Sequence, residues 1–188
     1  MAISETSICN SALTKIGVER ITSLEDNTKE GILCNEQYAK LRDEVLLSHP
    51  WNFAQARAEL AEDSVTPAFG WDKQYIIPSD VLRVLYMHDI RDLHQFVREG
   101  NLLLTNNSDA KIVYIKQITD TSLFSPRFAE TLALRIAWDL AYALVQSTQL
   151  AGQMEAAYQR FLSASRSFNA QEGREDNLTD DLFINSRL

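Results

Sequence analysis

The stretch SPRFAETLALRIAWDLAYAL, residues 125–144, decides the fold of this chain. Ser125 is a favourable N-cap and Pro126 is tolerated in a first helical turn, so a helix is predicted to begin here. Large apolar side chains recur on one face of this helix, and alanines keep the neighbouring surface narrow enough for close packing. The large residues are Leu132, Ile136, Leu140 and Leu144, and the alanines are Ala129, Ala133, Ala137 and Ala143. We therefore expect a deeply buried helix, the third of four.

Two helices are predicted before this stretch. Helix one is capped by Ser4 and ends at Gly17, which can adopt the left-handed conformation. Helix two starts from a cap at Asn27 or Thr28 and ends about two residues before Pro50, because proline disfavours helical geometry in the residue before it. The apolar stripes are Cys9, Ala12, Leu13 and Ile16 in helix one, and Cys34, Tyr38, Leu41 and Val45 in helix two.

A fourth helix is predicted after a polar break at 147–152. Its apolar residues are Met154, Ala157, Tyr158, Phe161, Leu162 and Phe168. Beyond Gly173 the chain becomes polar and acidic, but Leu182, Phe183 and Ile184 form an apolar cluster within this tail. Two interpretations of the tail are open: a disordered terminus, or an anchor that becomes ordered on binding a partner. We favour the anchor.

Between helices two and three the pattern changes. Residues 51–80 are aromatic and lack a clear period, so they predict an irregular connector. Residues 81–87, 95–98, 102–105 and 111–118 are β-prone and separated by turn formers, which predicts a small antiparallel sheet or meander.

The expected fold class is therefore α+β, with one domain at 1–173. Its helical bundle comes from 1–50 and 125–172, a β-rich lobe at about 75–120 is inserted between helices two and three, and 174–188 form an extended tail.

Composition narrows the possible functions. The 188 residues include 18 Lys and Arg against 26 Asp and Glu, a net charge of −8, which disfavours tight binding to nucleic acid. An acidic wall remains compatible with DNA passing nearby. No run reaches the roughly 18 apolar residues of a membrane span, and no secretion signal is apparent, so we expect a protein made in the cytosol with no membrane partner. Cys9 and Cys34 lack zinc-type spacing and are interpreted as small hydrophobes.

Candidate reactive groups are few. His49 precedes Pro50 and is interpreted as stabilising the end of helix two. His88, Asp89, Asp92 and His94 match no standard metal-ligand spacing, so solvated loop residues are the preferred interpretation.

Motifs typical of enzymes are also missing from the sequence. The glycines are isolated, and no GxSxG, HExxH or paired CxxC motif occurs. Two acid pairs, Asp43-Glu44 and Asp180-Asp181, could suggest a glycosidase, but adjacent residues on a helix point apart. The aromatic segment from Trp51 to Trp71 has too few cations for base stacking and favours a core or interface role. We predict no catalytic residue, no cofactor and no metal site.

Four segments resemble, in order, the tail tubular protein A family of short-tailed phages: LTKIG at 13–17, ITSLED at 21–26, PWNFA at 50–54 and YIIPSDVLRV at 75–84. The similarity covers roughly the first half of the chain. Each segment has a structural explanation: Trp51 and Phe53 are expected to anchor the end of helix two, and Pro78 to keep Ile77 extended before a turn at Ser79.

The resemblance implies a head-to-tail adaptor: a homo-oligomeric ring of twelve copies in the virion, between the portal protein and a nozzle protein like tail tubular protein B. DNA would pass through its centre without specific binding. We expect Leu182, Phe183 and Ile184 to dock on the portal, and the β lobe to contact the nozzle or tail fibres. Two alternatives remain open: a virion-associated peptidoglycan hydrolase, and a host-side binding module that uses the aromatic connector as a groove.

Overall fold

The computed structural model describes residues 3–88 and 96–172. Within these residues the helices are α1 (Glu5–Lys15), α2 (Lys29–Leu47), α3 (Pro126–Val145) and α4 (Thr148–Glu172). The strands are β1 (Gln55–Glu59), β2 (Lys73–Ile76), β3 (Val81–Met87), β4 (Phe96–Glu99), β5 (Leu102–Thr105) and β6 (Lys111–Lys116). The predicted α+β fold, with four helices and a β lobe inserted between the second and the third, is confirmed. The predicted tail at 174–188 lies outside the described residues.

Side-chain caps begin three of the helices where the sequence predicted. Ser4 accepts a hydrogen bond from the Ser7 N–H, and the Ser7 hydroxyl accepts one from the Ser4 N–H, which makes a reciprocal capping box. Thr28 caps α2 and Ser125 caps α3 by accepting a single hydrogen bond each, from the Gly31 and Phe128 N–H groups. Gly17 has φ +74° just after α1, the left-handed conformation expected there.

The central helix of the bundle is α3, which packs against α1, α2 and α4. Leu132, Ile136 and Leu140 are buried in the main apolar core. Leu144 is only partly buried and Ala143 is exposed, so the buried face ends about one turn before the helix does. Deep burial is thus confirmed for most of α3 but not for its last turn.

The turn between α3 and α4 is shorter than predicted. Gln146 has φ +57°, a left-handed conformation that ends α3, and α4 begins at Thr148. The predicted polar break at 147–152 is therefore wrong, and Gly152 lies inside α4. Leu150, Ala151 and Met154 pack against the main core, and this packing outweighs the weak local helix propensity.

The strands form two antiparallel sheets instead of the one sheet or meander that was predicted. The inner sheet has the order β1-β6-β3 and the outer sheet has the order β2-β5-β4. On the inner sheet, Ile115 and Leu82 join the helical core. Ile112 and Tyr114, on the opposite face, join a second core with Leu103 of the outer sheet. The molecule therefore has three layers: helices, inner sheet and outer sheet.

The prediction of an irregular connector at 51–80 is wrong in part, because it contains β1 and β2. The strands begin at Gln55, about twenty residues before the predicted start of the lobe at 75. Strand β1 reads QARAE, which has little intrinsic strand preference, and its pairing with β6 (Arg57 opposite Val113) makes it a strand.

Two helical glycines give a matched test of packing. A Cβ on Gly31 would overlap the backbone oxygen of Asp26 and lie 3.1 Å from the Asp26 Cβ, whereas a Cβ on Gly152 meets nothing within 4 Å. We expect Gly31→Ala to lower the free energy of unfolding by about 1–3 kcal/mol, as overpacking does. Gly152→Ala should raise it by about 0.5–1 kcal/mol through helix propensity. Urea unfolding of both variants checks this, and equal effects would contradict the close packing at Gly31.

Candidate interaction surfaces

Trp51 closes the junction between α2 and β1. Its side chain is 1% exposed, and its indole Nε1 donates a hydrogen bond of 3.0 Å to the Val45 carbonyl oxygen in the last turns of α2. Its ring stands edge-on to Phe128 of α3 at 5.4 Å between centroids. Phe53 lies 6.4 Å from Trp51 and 5.0 Å from Phe128. Trp51 and Phe53, the expected anchors, therefore lie in one aromatic cluster that packs the end of α2 against α3.

Pro78, the third expected anchor, lies in the turn before β3. The Val81 N–H donates to the Pro78 carbonyl oxygen at 3.2 Å, which closes the turn. The preceding Ile77 is buried, and its N–H donates to the Asn101 carbonyl oxygen at 2.8 Å. Pro78 itself is exposed, so its contribution is to the backbone path rather than to the core.

The ITSLED segment is also structural. The side chain of the buried Asn10 in α1 pairs with the backbone N–H and carbonyl of Ile21, each at 2.8 Å. Asp26 accepts hydrogen bonds from the backbone N–H groups of Ser23 and Thr22 and from the Thr22 hydroxyl. These bonds, led by the one from Ser23, hold the pKa of Asp26 below its usual range. The loop is thereby closed before α2 begins.

Polar contacts join the C-terminal part of α4 to the Trp51 junction. Asn169 is 8% exposed, and its Oδ1 accepts a hydrogen bond of 3.1 Å from the Asn52 N–H. The Asn52 side chain donates in return to the Asn169 carbonyl oxygen at 2.9 Å. The Arg166 guanidinium donates to the Ser48 carbonyl oxygen at 2.7 Å. The sequence carries no signal for these contacts, because a buried amide on a polar helix has no periodic signature.

The interpretation of His49 as a stabiliser of the α2 dipole is wrong. The carbonyls that end α2 accept from Ser48, Trp51 and Arg166 instead. Burial, with the positive charges of Arg166 and Arg83, lowers the pKa of His49, so its ring is neutral at pH 7. The neutral Nε2 lies 3.0 Å from the Asn169 Nδ2 and accepts its hydrogen bond.

A groove opens beside this junction, between the start of α3 and the end of α4. We call it the α3–α4 groove. Its volume is about 380 Å³, and it is lined by Trp51, Ser125, Pro126, Arg127, Ser165, Phe168 and Asn169. Phe168, predicted to face the core, is 43% exposed here, while its neighbour Asn169 is buried. The Arg127 guanidinium lies 4.4 Å from the centre of the Phe168 ring, a cation–π distance.

A second exposed apolar surface lies on the outer sheet, on the face away from the inner sheet. Ile76 pairs with Leu102, and Val97 pairs with Leu104, so these four side chains share that face. Ile76 is 48% and Val97 is 41% exposed, whereas Leu102 is partly buried and Leu104 is buried. Phe69, in the loop between β1 and β2, is 88% exposed. We call Ile76, Val97, Leu102 and Leu104 the outer apolar face.

The other candidate groups are placed as follows. Asp43 accepts from Gln117 at 2.6 Å, whereas Glu44 forms a two-point ion pair with Arg135, so this acid pair points apart as expected. Asp89, Asp92, His94 and the pair Asp180-Asp181 lie outside the described residues, as do Leu182, Phe183 and Ile184. Within the ranges 3–88 and 96–172, no three His, Cys, Asp or Glu side chains are grouped to hold a metal ion.

The two cysteines face each other inside the bundle. Cys9 of α1 and Cys34 of α2 are both fully buried free thiols. A hydrogen bond between the two thiols, together with burial, raises the pKa of Cys9 far above its ordinary range. Both thiols pack in the main core, as small hydrophobes do.

Comparison with known proteins adds no relative. A scan against protein-family models finds no match, and a search of curated proteins finds no significant one. In the described part of the chain, no helix is both long and apolar enough to cross a membrane.

The aromatic junction predicts a large difference between two aromatic residues. Trp51→Ala should lower the free energy of unfolding by about 3–5 kcal/mol, the usual result of emptying a large buried site. Phe69→Ala, at an exposed loop position, should change it by less than about 0.5 kcal/mol. Chemical unfolding followed by circular dichroism measures both, and a small effect of Trp51→Ala would show that the junction does not stabilise the bundle.

His49 predicts a specific pH dependence. Its pKa is lower in the folded chain than in the unfolded chain. As the pH is lowered below about 6.5, the unfolded chain therefore binds this proton more readily than the folded chain does, and the free energy of unfolding decreases. His49→Gln removes this contribution, and the decline between about pH 6.5 and 5.5 should become shallower. Urea midpoints of both proteins across this range provide the measurement. Parallel curves would contradict the assignment of a neutral His49.

Proposed function

We propose that this chain is a non-enzymatic subunit of the adaptor ring that joins the portal of a short-tailed phage to its tail nozzle. The observation that carries the proposal is the ordered set of four segments resembling the tail tubular protein A family. Residues of three of these segments act as scaffold in this chain: Ile21, paired with Asn10, and Asp26 fix the loop between α1 and α2, and Trp51 packs α2 against α3. A shared scaffold supports a shared fold family more directly than a shared reaction does.

The proposed protein belongs to the virion, at the head-to-tail junction, after synthesis in the host cytoplasm. Twelve copies form the ring, and DNA passes through its centre during ejection. A net charge of −8 supports a channel that does not retain the DNA, since like charges repel the phosphate backbone.

A ring subunit needs two different faces toward its neighbours and separate surfaces for the partners above and below. The proposed portal contact is the apolar cluster Leu182, Phe183 and Ile184. The proposed contact with the nozzle, and with tail fibres, is the outer apolar face, because exposed apolar surface of this kind is typical of interaction sites. Binding through these surfaces is the proposed activity, with no cofactor, metal or membrane.

The proposal predicts separable defects at the two contacts. Truncation after Gly173, or the triple change Leu182→Ser, Phe183→Ser and Ile184→Ser, should leave a folded protein that fails to join portal-bearing heads. Loss of three buried apolar side chains, each worth about 1.5–3 kcal/mol, should weaken attachment by at least about a hundredfold. Co-sedimentation with heads measures attachment.

The matched control changes the outer apolar face instead. Ile76→Lys with Val97→Lys should keep head attachment and reduce recruitment of the nozzle protein. Normal head attachment by the triple variant would refute the portal contact. Absence of the protein from washed particles would refute the virion assignment, and a clearing zone on a cell-wall zymogram would favour the hydrolase.

A further inference from the structure

The α3–α4 groove has the chemistry of a site for an acidic, apolar peptide. Pro126 and Phe168 give it exposed apolar surface, the buried Trp51 also lines it, and its volume of about 380 Å³ is in the lower part of the range of ligand sites. Arg127 lines it and lies over the Phe168 ring, and Arg166 follows the lining residue Ser165, with its guanidinium bound to the Ser48 carbonyl. A partner should therefore carry a large apolar side chain next to carboxylates.

The chain itself contains such a peptide. Residues 180–184 read DDLFI, with two carboxylates directly before Leu182, Phe183 and Ile184. The four acids and two arginines between 173 and 188 leave this tail with a net charge of 2 − 4 = −2. Its charge is opposite to that of the arginines at the groove.

The length of the tail also fits. The described part of α4 ends at Glu172, about one helical turn beyond Phe168 at the groove. Leu182 lies ten positions after Glu172, and a flexible chain of ten residues has a typical end-to-end distance of about 17 Å. A short tether of this kind gives an effective concentration in the millimolar range, so a weak contact is enough to keep the site occupied.

We propose that the α3–α4 groove binds this chain's own segment 180–184, with Phe183 beside Pro126 and Phe168 and with the two aspartates at Arg127 and Arg166. The site is intramolecular and concerns the isolated subunit. This intramolecular contact does not depend on the proposed portal contact. Through it, the free subunit covers its own apolar cluster, Leu182, Phe183 and Ile184.

Hydrogen–deuterium exchange of the full-length protein, without any portal, tests the proposal. Amides of 181–185 should exchange at least about fivefold more slowly than in a synthetic peptide of residues 174–188, because the docked form must open first. The protection should be the same at low and high protein concentration. Protection that grows with concentration would place the segment of a second copy in the groove and overturn the intramolecular site.

Matched variants assign the protection to the groove. Phe168→Ser, at a half-exposed position outside the main core, should return the amides to the peptide rate. Phe69→Ser, at an exposed position in the β lobe, should leave the protection unchanged. Exchange at the peptide rate in the unaltered protein, or protection that survives Phe168→Ser in a folded variant, would overturn the proposal. Neither result bears on head attachment, which the triple variant tests separately.

Discussion

The structure depends on the inner sheet being apolar on both faces. Strand β6 is paired on both edges, by β1 and by β3, so its backbone hydrogen bonds are satisfied within the sheet. Ile115 points into the helical core, while Ile112 and Tyr114 point into the core shared with the outer sheet. A sheet covered on both faces needs near-continuous apolar residues, and the run IVYI at 112–115 provides them. Polar residues on either face would uncouple the lobe from the bundle.

The sequence predicted elements whose cause is local, and it failed where the cause is distant. The caps at Ser4, Thr28 and Ser125 depend on residues within three positions along the chain, so they could be predicted from the sequence. Strand β1 was not predicted, because the partner of Arg57 is Val113, which lies 56 positions further along the chain. Gly152 has a low helix propensity, which led to the wrong prediction of a break before α4. Tertiary packing of α4 outweighs that propensity.

The same distinction explains the candidate surfaces. Trp51 and Phe53 were predictable because aromatic residues beside a helix end usually pack against a core. Phe168 was assigned to the wrong side because the apolar spacing of α4 continues through it, whereas Asn169 takes the buried position through partners at 49–52. Because Asn169 occupies the buried position with its hydrogen bonds satisfied, Phe168 stays exposed and lines one side of the α3–α4 groove. The sequence contains both residues but not the pairing that decides between them.

The proposed docking in the groove and the proposed portal contact use the same three apolar residues, so their binding free energies would be linked. A segment that is docked in the groove for about nine-tenths of the time lowers the apparent affinity for any external site about tenfold, because only the open fraction can bind. In the proposed adaptor, a head would present many portal subunits to a ring, so contacts repeated around the ring would offset that loss, whereas an unrelated apolar surface would contact one closed tail at a time. The acidic residues add selectivity, since Asp180 and Asp181 favour partners that offer cations beside an apolar pocket. Together, the two contacts would make assembly of the ring depend on a repeated, cationic and apolar surface, and would leave the free subunit without an exposed apolar tail.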